Sequence, residues 1–326
     1  MSYYSKSELR AKGEEIVDEA VRATQDENED SWLQAQQGMD RDPNVEDIST
    51  PWYEPAELEA WVREQLAWIP DHFEREADPD PESFQGISDA VNATMSKLGG
   101  GDSSSADPNL SFTDKAQAEM EEWDGVFSEN FQNGFTIPFP TIVQNQAATA
   151  KMLNDALDGL INVYRGKRRD YSELADQTIA ALKNCGARDG GDEKMGLTIL
   201  GALTGIAGAA LAIPSGGTSL AVTGLVLATI GASASIGGEF VPEEKNLALG
   251  APTVMEVISN MISRQSDIYT AVYDQEEKIA GVLDGNYELL TSVRQLGAAK
   301  GLATPLTPLR PSIADAEDPS TGLTPQ

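Results

Sequence analysis

The side chains best suited to chemistry in this 326-residue chain are few, and they do not converge. A run of cations, Arg165, Lys167, Arg168 and Arg169, is the densest positive cluster, and such a cluster suits an anionic lipid, an acidic partner or the chain's own carboxylates. Its plainer reading is an exposed helix face paired with acids. His72 is the only histidine and Cys185 the only cysteine. A histidine relay, a Cys/His zinc site and an intramolecular disulfide are therefore excluded. His72 follows Ile69-Pro70-Asp71 at an expected helix end, where capping or a surface position is the default. The chain holds no G-x-S-x-G, P-loop, H-E-x-x-H or dinucleotide fingerprint. Gly99-Gly100-Gly101 lacks the lysine of a phosphate cradle, and the acidic run 26–32 lacks the ligand spacing of a calcium loop. The expectation is a protein that is not an enzyme and holds no cofactor or metal.

The charge balance excludes another class. There are 53 acidic residues against 23 basic ones, a net charge of −30. Such a field repels phosphate backbones, so nucleic acid is not an expected partner. The first residues, MSYYSKSELRAKGEE, contain no apolar core of a cleavable signal. The expected location is cytoplasmic before export, then secreted or membrane-associated by a route that reads no such signal.

Apolar spacing is helical almost throughout, so the fold class expected is all-α. A first helix spans about Lys6 to Ala23, opened by the capping-box pair Ser5 and Glu8. An acidic loop follows. A second helix opens at Pro55 and stops at Pro70; a third starts after Pro81 with Phe84, Ile87, Val91, Met95 and Leu98 on one face. These make an N-terminal helical subdomain, 1–98, followed by a flexible linker at 99–108 with the composition GGGDSSSADP. The next region, 109–187, carries a helix with Met120, Trp123 and Phe127, a break over Gln132 to Pro140, and a long helix. That helix is capped by Thr141 and Gln144 and striped by Val143, Ala150, Leu153, Leu157, Leu160, Tyr164, Tyr171, Leu174, Ile179 and Leu182. Its counterpart, 251–300, has the box Thr253/Glu256 and the stripe Val254, Val257, Ile258, Met261, Ile268, Val272, Ile279, Leu283, Leu290 and Val293. At about 40 residues each, the two reach roughly 60 Å and should pack antiparallel in an elongated bundle. Their stripes need further helices to cover them, for which the N-terminal ones are available. A polar, Pro-rich tail, 301–326, is expected to be disordered.

Between the long helices lies a hydrophobic region, 188–250. From Met195 to Gly238 there are 44 residues without a charge, of which nineteen are Gly or Ala and nine are Ser or Thr. Two apolar runs, of 19 residues from Met195 to Ile213 and of 17 from Leu220 to Ile236, flank a turn at Pro214. Each is near the length that spans a bilayer core of about 30 Å. Leu200, Ile206, Leu211, Leu225, Val226 and Ile230 supply the bulk, while Gly201, Gly205 and Ala209 permit close helix contact. Helices this rich in glycine are poor in water. Three outcomes stay open: conditional insertion into a membrane, a constitutive two-span anchor, and a hairpin buried in protein.

The order long helix, apolar hairpin, long helix resembles the α-helical pore-forming toxins of the cytolysin A and haemolysin BL type, over about Thr141 to Leu296. That resemblance implies a hairpin that sits at one end of the bundle and inserts on assembly; the partners expected are a membrane or, through self-association of the hairpin, further copies in a homo-oligomer. Separately, Trp123-Asp124-Gly125 resembles the W-x-G of the helical-hairpin substrates of type VII secretion, and Tyr273 with Glu277 has the spacing of that family's Tyr-x-x-x-Asp/Glu export signal. This second resemblance implies secretion machinery as a partner.

Overall fold

The computed structural model describes residues 3–39, 53–99, 107–120, 126–185, 251, 253–300 and 306–308. The charge-free stretch with all its singled-out residues, Trp123, Gly125, most of the linker and most of the tail lie outside them. The described residues form an all-α protein with no strand among them. In order the helices are α1 (Lys6–Met39), α2 (Pro55–Leu66), α3 (Trp68–Glu76), α4 (Gln85–Lys97), α5 (Phe112–Met120), α6 (Val126–Phe131), α7 (Phe139–Lys183) and α8 (Val254–Lys300). They divide between two compact units. The first contains α1 to α3, α7 from Ile161 onward and α8 as far as Glu276; the second contains α4 to α6 and the remaining parts of α7 and α8.

The start of α1 is fixed as its sequence requires. Ser5 N donates to Glu8 Oε2 at 2.7 Å, and Glu8 N donates to Ser5 Oγ at 3.3 Å, a reciprocal capping box. Its end is not where the polar composition suggests. Instead of a loop after Ala23, the helix continues to Met39. No glycine or proline interrupts residues 14–37. The polar side chains bond back along the helix instead: Thr24 Oγ1 to Ala20 O at 2.7 Å, Asn28 Nδ2 to Thr24 O at 2.8 Å and Ser31 Oγ to Glu27 O at 2.7 Å.

Pro70 is a second correction. α2 ends earlier, at Leu66, and α3 begins at Trp68, so Pro70 stands in the first turn of a helix, where its missing N–H costs no hydrogen bond. Ile69 and Phe73 of α3 are fully buried against Leu9, Ile16 and Ala20 of α1 in the same core. That core takes in Tyr171, Leu174, Ala175, Ile179 and Leu182 of α7 with Val254, Val257, Ile258, Met261 and Ile268 of α8. The stripes read from the sequence are thus the buried faces of this unit, and the N-terminal helices do cover them.

In the second unit several expectations change. Asp107 accepts from Asn109 N at 2.9 Å and opens a 3-10 turn, Pro108–Ser111. Around α4, Phe84, Val91, Met95 and Leu98 of the predicted face are partly buried, but Ile87 is 56% exposed and Ser88 is buried in its place, with Ser88 Oγ donating to Asn154 Oδ1 at 3.2 Å. Around Asn133-Gly134 the chain does not leave helical geometry: Gln132–Thr136 forms a π-turn. Phe131, Phe135 and Phe139 stack along it at 5.3 and 5.7 Å between ring centroids. α7 then starts at Phe139, so Thr141 lies inside the helix and is not its cap. Pro138 and Pro140 sit at that start, where proline is tolerated. Leu153, expected in the stripe, is 45% exposed, while Ile142, Met152 and Ala156 are buried.

The backbones of α1 and α3 approach closely at Gly13. A Cβ built there would lie 2.6 Å from Pro70 Cα. Gly13→Ala should therefore lower stability by about 1–3 kcal/mol, although alanine is the better helix former by about 1 kcal/mol. Urea unfolding of both proteins, followed by circular dichroism, tests the sign.

Candidate functional site

Two places bring together side chains with a role beyond filling the core. The first is where the described chain stops at Cys185 and resumes at Ala251. Cys185 Sγ lies 3.6 Å from Ala251 O and 3.4 Å from Glu27 Oε1 of α1. The same Glu27 oxygen accepts a hydrogen bond from Val254 N, the first residue of α8, at 2.8 Å. A carboxylate at a helix N-terminus satisfies an otherwise unpaired donor and meets the positive end of the helix dipole. α8 also carries its own cap, since Thr253 Oγ1 accepts from Glu256 N at 3.4 Å. Glu27 is therefore a cap supplied by another helix, and it joins α1 to both ends of the interval 186–250. Sequence reasoning missed it because it lies in the run read as a loop. The unbroken absence of glycine and proline was the signal that could have placed it on a helix.

The second place is the turn between α3 and α4, gripped by the basic run of α7. Arg165 pairs with Glu82 at 2.8 Å. Lys167 pairs with Glu76 at 2.8 Å and donates to Asp78 O at 3.0 Å. Arg168 is 7% exposed; it donates to Ala77 O at 2.9 Å, pairs with Asp80 at 3.3 Å, and its guanidinium stands 5.3 Å from the centre of the Tyr3 ring. Arg169 meets the buried Asp170 at 3.3 Å. The four cations thus hold carboxylates and carbonyls of the chain itself over residues 76–82 and at 170. Exposed pairs such as Arg165–Glu82 are worth little, on the order of 0–1 kcal/mol. Buried Arg168 matters more, because removing it would leave the Ala77 carbonyl without its partner.

Next to this turn, His72 is half-buried in an aromatic group and is not an exposed cap. Its ring lies 5.6 Å from that of Trp68 and 6.3 Å from those of Phe73 and Tyr171, and burial holds its pKa below the ordinary value. Asp170 is pushed up to about 7, because burial outweighs the Arg169 cation and Glu173 adds repulsion. A carboxyl whose folded pKa exceeds its unfolded one binds its proton more tightly when folded. Its contribution to stability is therefore greatest at low pH and is lost as pH rises from about 4 to 7.

Tyr273 and Glu277 both lie within α8 and are exposed. Trp123 and Gly125, and the residues from Met195 to Ile236, lie outside the described residues. Among the described residues, no helix is long and apolar enough to cross a membrane, and no group of three or more His, Cys, Asp or Glu side chains is placed to hold a metal ion. No family model, no curated protein and no solved structure matches the chain.

Two outcomes are expected. Glu27→Ala should cost about 1 kcal/mol in urea unfolding, the size of a lost helix cap. Asp170→Asn should flatten the pH dependence of stability: the variant gains on the parent as pH rises from 4 to 7, by at most on the order of 4 kcal/mol. Parallel melts across that range measure it.

Proposed function

We propose that this chain is a non-enzymatic, exported helical protein whose charge-free segment, Met195 to Gly238, enters or assembles at a membrane in the manner of pore-forming proteins. The observation that carries the reading is the closeness of Cys185 and Ala251. The two residues that flank the 65-residue interval thus lie side by side, which is what a hairpin inserted between them requires. Within that interval, each apolar run has the length of a bilayer span and no charge to desolvate. The acidic surface disfavours nucleic acid and keeps such a segment soluble before it reaches lipid.

In this reading α7 and α8 pair antiparallel beside the hairpin. Two contacts support that direction: Tyr164 donates to Glu276, and Cys185 meets Ala251, so numbers rise along one helix as they fall along the other. α1 covers the pair and, through Glu27, fastens its mouth. The Trp123/Gly125 and Tyr273/Glu277 spacings supply the reason for proposing secretion machinery as a partner.

A second reading rests on the small residues Gly201, Gly205 and Ala209, which favour close packing between helices. Under it, the protein is a structural or secretion-associated assembly whose hairpins are buried between protomers. Liposome experiments separate the two. The purified chain should float with vesicles and release an entrapped dye, and Gly205→Asp combined with Val226→Asp should abolish the release. Leakage that survives those charges removes the first reading; a soluble oligomer that ignores vesicles supports the second.

A further inference from the structure

α8 carries a second stripe that the core does not use. Met255, Ile262, Tyr269 and Tyr273 are 63%, 46%, 65% and 55% exposed, while Val254, Val257, Ile258, Met261 and Ile268 on the other side of the helix are buried. Met255, Ile262 and Tyr269 recur at intervals of seven, as do Ser259, Ser266 and Tyr273. Both sets fall on one outward strip, because two helical turns nearly restore the direction of a side chain. All six residues are exposed and none is charged, in a chain of net charge −30. Tyrosine and methionine are enriched at interfaces and charged residues are depleted at their centres, and the strip shares both traits.

The order of large and small residues along the strip selects the occupant. Turned end for end about position 264, the strip sets Met255 against Tyr273, Ser259 against Tyr269 and Ile262 against Ser266. Both serines then face a bulky side chain, and each tyrosine ring gains an apolar or hydroxyl neighbour. Laid parallel, the strip would set tyrosine on tyrosine and serine on serine, with a void at each serine pair. A surface that complements itself under a two-fold rotation is what an isologous contact needs.

We propose that the outer strip of α8 between Met255 and Tyr273 is a docking surface for the same strip of a second copy of this chain, paired antiparallel. The strip is about 27 Å long. One helix face of that length falls below the roughly 1,600 Å² of a standard interface, so the dimer is weak, with dissociation on the order of tens of micromolar. This contact does not rest on the membrane reading and does not involve the charge-free segment.

Disulfide trapping of the full chain tests both the partner and the direction. In a Cys185→Ser background, Met255→Cys chains are mixed with size-tagged Tyr273→Cys chains at about 100 µM, above the expected dissociation range, and oxidised gently. The mixed-size covalent dimer should predominate. Met255→Cys alone should give little product, because its two thiols would be about 27 Å apart. Efficient self-linking of Met255→Cys would overturn the antiparallel direction, and no cross-link in the mixture would overturn the dimer. Tyr269→Asp, at an exposed position, should keep the parent's urea midpoint yet reduce the mixed product at least tenfold. An undiminished yield would also overturn the proposal.

Discussion

Everything described in the first unit depends on one steric problem: two long amphipathic helices have more apolar stripe than they can hide alone. α1 solves it by laying Leu9, Ile16, Val17, Ala20 and Val21 against the buried faces of α7 and α8, with α2 and α3 completing the cover. The fit is close enough that the backbone of α3 meets α1 at a glycine, where no side chain could stand. From this packing the other features follow. α3 is held where the basic run of α7 can reach the turn after it, and α1 extends far enough to bring Glu27 to the start of α8.

Which parts of this were legible beforehand follows from which forces are local. The Ser5/Glu8 box and the period of Val254, Val257, Ile258 and Met261 are local properties, and both appear in the structure as expected. Ends of helices were harder, because proline and polar residues act differently by position. Pro70 ends nothing in a first turn, and the polar run after Ala23 stays helical because no glycine or proline stops it, its side chains bonding back to its own carbonyls. On α4 the burial of Ser88 in place of Ile87 depends on Asn154 of α7, a partner 66 residues away that no periodicity reveals. The basic run was visible as a cluster, but its partners on the α3–α4 turn were not.

Charge is organised in the same economical way. Lys6, Arg10, Lys12, Arg22 and Arg63 pair with carboxylates inside the first unit, as the basic run does. Cations already so engaged leave the acidic excess to dominate the outward field, and at physiological salt that field reaches about 8 Å. Against such a background the uncharged strip of α8 is conspicuous, because no like charge on it has to be desolvated or brought face to face in a contact.

The lone thiol at Cys185 has a practical consequence. It is partly exposed, it is the chain's only cysteine, and it sits beside the Ala251 carbonyl and the Glu27 carboxylate. A dye or spin label attached to the native protein would therefore report from that single position, with no other residue to remove or protect. Its local polarity and mobility would report directly on the contact that Cys185 makes with Glu27 and Ala251.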